Sequence, residues 1–416
     1  MIRAAASASV ALIVIVAFGL IIHLKTTAIP QTSQYVGSAT CEGCHRAQHA
    51  TWRVSQHTKI MRRPETPGVV VADFMAEGTP FSEQQVIWVI GGKWEQQFMG
   101  QDETGETLLP GAWHRATESW QVTGWDGWNA PIPKLRCHGC HTVGLDPTTG
   151  TFVEPDIGCE SCHGPAGWHV GTFGLGRIVS LADAEVCGQC HTRGRGIGGD
   201  TYFPVAYRPG EPLDEKFTHE APSIGQNSSD FWGDGRSRNR HQQFIDWRTS
   251  GHVDSLTVLR EGYDGRYGEV EDDCLRCHSG DYILATETKP DVAQARDGVT
   301  CSVCHNVHGE LDRPRMVCAD CHAGGAFYHE PERNGGHVPC PDSISVTCVD
   351  CHMPRTVLIG GGFQAHSHSP GISQPIDAEK WSNPSSCKQG DCHPTASLAD
   401  LQESFDRHYR RGTAER

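Results

Sequence analysis

Eight copies of Cys-x-x-Cys-His run through the chain, and no other feature restricts its fold as tightly. They are Cys41, Cys44 and His45; Cys137, Cys140 and His141; Cys159, Cys162 and His163; Cys187, Cys190 and His191; Cys274, Cys277 and His278; Cys301, Cys304 and His305; Cys318, Cys321 and His322; and Cys348, Cys351 and His352. This pentapeptide is the covalent attachment signature of a c-type haem. Each thiol adds to one vinyl arm of the macrocycle, and the histidine that follows becomes an axial ligand of the iron. Chance would supply roughly 0.05 such pentapeptides at this Cys and His content.

Two other chemistries use closely spaced cysteines. A disulfide framework needs no histidine after every second cysteine and pairs its cysteines evenly, whereas this chain has nineteen. Zinc sites pair two Cys-x-x-Cys knuckles, or one knuckle with two histidines, and leave the constant histidine without a purpose. A ninth, irregular site is expected at Cys387-Lys-Gln-Gly-Asp-Cys392-His393, where four residues separate the cysteines. The longer loop still spans two vinyl groups and keeps the adjacent histidine; zinc or a lone disulfide is the alternative there. Cys340 is left over and reads as a buried free thiol.

Nine haems in 416 residues change what the chain must do to fold. The macrocycles supply much of the core, which agrees with only 37% hydrophobic residues and with 47 glycines and 24 prolines. The expected class is mainly α with extensive loops, a haem array built on short attachment helices. The formal charge of −15, made more negative by haem propionates, argues against nucleic acid or an anionic membrane surface as a partner.

Residues 1–25 read as a targeting element. Arg3 precedes an apolar run from Ala4 to Ile22, with His23 and Lys25 after it. The run is longer than a usual signal-peptide core, no convincing cleavage site follows, and it is long enough to span a bilayer. An uncleaved N-terminal transmembrane anchor is expected, with a cleaved signal peptide as the alternative. Arg3 places the body outside the cytoplasm, where haem attachment also occurs. The expected address is the periplasm or its equivalent, tethered to the inner membrane.

The chain echoes itself. Trp52-Arg-Val-Ser-Gln-His57 matches Trp247-Arg-Thr-Ser-Gly-His252, with Gln48 and Gln243 at the same offset, and Ile157 to His163 weakly matches Val299 to His305. Two multihaem lobes are expected, 26–225 and 226–416, joined through the turn-rich stretch Gly225 to Gly235. One segment, Val69 to Trp113, has no cysteine. Its β-prone runs at Val69–Val71, Gln85–Ile90 and Gln96–Met99, punctuated by glycines, predict a small antiparallel insertion. A last helix is expected from about Ser397 to Arg411.

Each attachment motif fills one axial position only. Of 24 histidines, nine close an attachment motif and fifteen do not. That surplus points to bis-histidine iron. His57 and His252 are the best sixth-ligand candidates because each ends a repeated element. His169, His308, His329, His337, His366 and His368 lie just beyond or between attachment sites and are the next candidates. For each, the alternative is a surface or hydrogen-bonded histidine. His49, His114, His219, His241 and His408 are evenly balanced, and His138, inside a motif, is not expected to ligate.

Several segments resemble a known superfamily. Tyr35-Val-Gly-Ser-Ala-Thr-Cys-Glu-Gly-Cys-His45 with the following Trp52-x-x-Ser-x-His57, then Ile90 to Gln96, Gly158 to Pro165, Val299 to His308 and Cys348 to Pro354, are similar to recurring segments of multihaem cytochromes. The superfamily is that of cytochrome c nitrite reductase, octahaem hydroxylamine oxidoreductase and octahaem tetrathionate reductase, and the likeness is greatest to its electron-transferring members. The resemblance spans most of residues 35–395. It implies a compact haem array and distal roles for His57, His169, His308 and one of His366 or His368. The Cys-x-x-Cys-Lys site of the nitrite reductases is absent, because every regular motif here ends in histidine.

The expected function is electron transfer along mostly bis-histidine haems, between a membrane or quinol donor and an extracytoplasmic acceptor. Redox proteins are the expected partners: a membrane quinol oxidoreductase, or a periplasmic or extracellular cytochrome. The rival is a multihaem reductase or oxidase of a small nitrogen or sulfur compound, which needs one open-site haem. A polymerising cytochrome is a third reading, disfavoured by the anchor.

Overall fold

The computed structural model describes residues 16–17, 19, 29–30, 32–103, 105–121, 133–179, 183–199, 201–261, 270–286, 288–309, 316–322, 347–360 and 363–413. The expected anchor lies outside these residues apart from 16, 17 and 19, and so do His329, His337 and Cys340. Among the described residues no helix is long and apolar enough to cross a membrane.

Cys-x-x-Cys-His is one helical turn. Cysteines three apart share a face, so a short helix presents both sulfurs to one macrocycle. Helices of this kind cover Pro133–His141, Cys159–His163, Leu275–His278, Cys301–Cys304, Cys318–His322 and Cys348–His352. None is long enough to persist alone in water, so what they pack against must hold them. The longest helix, Leu398–Thr413, falls where expected. Ser397 caps it by accepting from Asp400 N at 3.1 Å, and it packs on the helix Pro375–Trp381.

The expected β insertion is present and wider than 69–113. Its strands are β1 (Met61–Arg62), β2 (Trp88–Gly91), β3 (Glu95–Asp102), β4 (Gly105–Leu108), β5 (Ala112–His114) and β6 (Ser119–Gln121). They form one antiparallel sheet ordered β1-β2-β3-β5-β6, with β4 paired to the far end of β3. With three further two-stranded sheets among the described residues, the fold is a mixture of short helices and small sheets, not the mainly α class expected. The run Val69–Val71 is not a strand. The buried Gln96 side chain takes the place of a neighbouring strand: it accepts from Val71 N at 2.9 Å and donates to Val69 O at 2.6 Å.

The two faces of this sheet do different work. One packs Val86, Val89, Phe98, Trp113 and Trp120 against Val69 and Phe81. The other packs Met61, Trp88, Ile90 and Met99 onto Cys137, so the insertion roofs the second attachment site. A separate cluster joins Ala184, Tyr207, Leu213 and Phe217 to Phe231, Phe244 and Ile245. It runs across the expected join: Phe231 lies within Gly225–Gly235 and is part of this core.

Candidate haem sites

One connected cavity of about 2570 Å³ runs through the molecule. Ordinary small-molecule sites measure roughly 300–1,000 Å³. Residues of the first eight motifs line it, including His45, His141, His163, His191, His278, His305 and His322, with Cys348 from the eighth. The ninth motif lies outside it. Lys59, Lys93, Arg193, Arg195 and Arg240 are also in the lining, cations suited to propionates in a chain of net charge −15. None of the described cysteines is in a disulfide. Among the described residues no three His, Cys, Asp or Glu side chains converge as a bare metal site. Shape and donor set fit haems.

Metal–imidazole bonds are about 2 Å long, so two imidazoles on opposite sides of one iron have ring centres about 6 Å apart. Five motif histidines face a second histidine at this spacing. His45 faces His169 at 6.2 Å, His163 faces His308 at 6.1 Å, His305 faces His368 at 5.9 Å and His322 faces His252 at 6.2 Å. His191 has two neighbours, His57 at 6.5 Å and His241 at 6.4 Å.

The ring nitrogens are set for coordination. His163 Nδ1 donates to Val179 O at 2.9 Å, His169 Nδ1 to Gly176 O at 2.8 Å and His278 Nδ1 to Ser255 O at 2.9 Å. A carbonyl only accepts, so Nδ1 carries the proton and Nε2 keeps its lone pair for a metal. Burial, with a smaller contribution from a neighbouring histidine, pushes His57, His141 and His368 down to about 4. They are neutral near pH 7, as ligation requires.

The sequence echo is repeated atom for atom. Trp52 Nε1 donates to Ile157 O at 2.9 Å and Ile157 N donates to His57 O at 3.1 Å. Trp247 Nε1 donates to Val299 O at 2.7 Å and Val299 N to His252 O at 3.1 Å. Ile157 and Val299 each stand two residues before an attachment cysteine. Each element thus clamps one motif while offering its histidine to another: His57 to the motif at 187 and His252 to that at 318.

The cysteines show which motifs abut. Cys41 lies against Cys159, Cys162 near Cys187, and Cys187 against Cys301. Cys304 lies near Cys318, and Cys318 near Cys348. Ser386 Oγ, beside Cys387, donates to Cys351 O at 2.8 Å. The spatial order is therefore 41, 159, 187, 301, 318, 348, 387. Two sites branch from it. Cys140 abuts the motif at 187, with Cys190 Sγ 3.8 Å from Cys140 O. Cys277 abuts the motif at 318, with its Sγ 4.0 Å from Cys321 O.

The remaining histidines divide clearly. His138 is fully buried with Nε2 3.2 Å from Glu106. His219 is engaged at both nitrogens, by Thr192 Oγ1 at 3.0 Å and Asp214 at 3.1 Å. His366 Nδ1 bonds Met353 O, and His368, not His366, faces His305. His241 was given no precedence by its sequence context. It lines the cavity, in the left-handed region at φ 64°, close to both His191 and His141. A left-handed histidine facing the cavity is a conformation visible only in three dimensions.

The matches to known proteins agree with this geometry. A family described as cytochrome c554 and c-prime matches residues 114–164. No curated protein matches the chain. Among solved structures, the outer cell wall cytochrome OcwA superposes with a TM-score of 0.76 and 28% identity, covering 90% of this chain and 86% of that one. An undecahaem cytochrome from the S-layer of Carboxydothermus ferrireducens superposes with a TM-score of 0.54 and 21% identity, covering 92% of this chain and 61% of that one. In motif content and fold the chain is similar to multihaem c-type cytochromes. The family match covers the segment in which the β-sheet meets the second and third attachment sites.

Proposed function

We propose that this cytochrome is a branched electron wire working outside the cytoplasm. It carries nine haems, with a path through the sites at 41, 159, 187, 301, 318, 348 and 387 and side branches at 137 and 274. His169, His308, His57, His368 and His252 would supply the second imidazole to the haems held at His45, His163, His191, His305 and His322. The single observation behind this reading is that these imidazole pairs stand 5.9 to 6.5 Å apart along contiguous motifs. For His191, the repeat favours His57, because His252 stands in the same relation to His322. An iron with both axial positions filled transfers single electrons and excludes substrate, and the protein sets its potential through ligand, burial and hydrogen bonding. Residues 1–25 anchor the chain to the inner membrane, the donor is a membrane or quinol oxidoreductase, and the acceptor is an extracytoplasmic redox protein. OcwA, similar over most of its length, is named for the outer cell wall, which supports an extracytoplasmic address.

The test combines haem quantitation with cyanide titration followed by electron paramagnetic resonance. The wire requires nine haems per chain, five of them low-spin and indifferent to cyanide. More than four cyanide-responsive haems would overturn it. One observation favours a second reading, a reductase or oxidase of a small nitrogen or sulfur compound at a branch haem. Among the described residues neither His141 nor His278 faces another imidazole at axial spacing. Steady turnover of nitrite or hydroxylamine by the reduced protein would select that reading.

A further inference from the structure

The ligand histidines are held in two different ways. His169 is steered through its own ring, since Nδ1 donates to Gly176 O. His368 is not. Its Nδ1 is buried with no partner at ordinary hydrogen-bond geometry and only a weak approach to the His366 carbonyl. The ring therefore takes its direction from the main chain that carries it.

That main chain is gripped by one carboxylate. Asp246 is 1% exposed and sits on the helix Gln243–Arg248, beside the clamping Trp247. Its Oδ2 accepts from His368 N at 2.8 Å and from Ser367 Oγ at 2.7 Å. Its Oδ1 accepts from Ser237 N at 3.0 Å and Ser237 Oγ at 2.6 Å. Ser237 and Ser367 are themselves buried. Four donors converge on a carboxylate where a buried charge is otherwise costly, and short bonds to a charged acceptor are the strong ones. The same helix leads through Trp247 to His252. One helix thus fixes two sixth ligands, His252 through the chain and His368 through Asp246.

We infer that Asp246 is a positioning residue that holds His368 on the iron of the haem at Cys301, Cys304 and His305. This rests on the axial pairing proposed above. When Asp246 is lost, Ser367 and His368 lose their shared acceptor, the loop relaxes and the imidazole leaves the iron. That haem becomes five-coordinate and, once reduced, binds carbon monoxide.

The experiment counts carbon monoxide-binding haems per chain in dithionite-reduced, fully haem-loaded protein. His368→Gly is expected to add one such haem to the wild-type number. Asp246→Ala is expected to add at least half of that one, and the double variant no more than His368→Gly alone. Asp246→Asn keeps the shape and accepts at one atom only, so it should fall between wild type and alanine; it reads the same effect if the alanine variant does not load haem. Wild-type stoichiometry in Asp246→Ala and Asp246→Asn, with a gain in His368→Gly, overturns the positioning role. No gain in His368→Gly overturns the pairing itself, and the inference with it.

Discussion

The two Trp-x-x-Ser-x-His elements make identical hydrogen bonds inside different surroundings. Each tryptophan donates to the carbonyl two residues before a motif, and each histidine points to a motif further along. What differs is what each half adds. In the first half a six-stranded sheet covers the branch site through Met61, Trp88, Ile90 and Met99. In the second half the short helix Ser255–Glu261 does so, placing Leu256 and Leu259 beside Leu275, with Cys274 packed against them. The residue before the tryptophan differs too. Thr51 bonds back into its own helix, to Gln48 O at 3.0 Å, while Asp246 reaches out to the 367–368 segment. The repeated part sets His57 and His252 against motif histidines, and the part that differs only has to bury a branch site, which either a sheet or a helix can do.

The comparison is broken most severely at the ligands. His57→Met and His252→Met should each remove one bis-histidine signal and raise one haem potential by on the order of 0.1 V, as read by redox titration. Equal effects confirm equivalence. No change in His57→Met would mean that His241 serves the iron opposite His191. Next come the clamps. Trp52→Phe and Trp247→Phe leave the carbonyls of Ile157 and Val299 without their indole partner, and each should cost about 1–3 kcal/mol in thermal or denaturant unfolding. A large cost in one and none in the other would show that the two clamps are not equivalent.

The smallest effect concerns pH, at a position that carries a carboxyl in the first half only; Asp297, one residue before the matching position, is raised by burial to about 6 as well and contributes its own share. Asp156 precedes Ile157 and accepts from Ile60 N at 2.8 Å and Met61 N at 2.6 Å. Burial outweighs these bonds and pushes its carboxyl up to about 6. Between about pH 4 and 6 the folded chain holds a proton that the unfolded chain has released. This contribution to stability is therefore present below pH 4 and lost as pH rises through 6. The matching position in the second half is Gly298, where a Cβ would lie 2.6 Å from Val253 O. Asp156→Asn should flatten the melting temperature between pH 4 and 6. An unchanged slope would assign it to other groups.

Much of the site was legible before folding. The motifs named haem, and the echo singled out His57 and His252. The resemblance also favoured His169 and His308, both of which face a motif histidine. It left His366 and His368 undecided, because two histidines two residues apart differ only in which way the chain turns them. Val69–Val71 read as a strand because β-branched residues suit one, yet Gln96 satisfied its backbone from a neighbouring strand. His241 carried no local signal, since its place in the cavity wall and its left-handed backbone are settled by distant contacts.

The sequence alone pointed to the haem type, its attachment bonds and the expected first ligand, because those are short-range covalent constraints written into five consecutive residues. Only the tertiary structure decided the spatial order of the motifs, the branches at 137 and 274, and which histidine faces which motif histidine. Those follow from packing between segments up to 145 residues apart, such as His163 and His308, and no local pattern encodes such a distance.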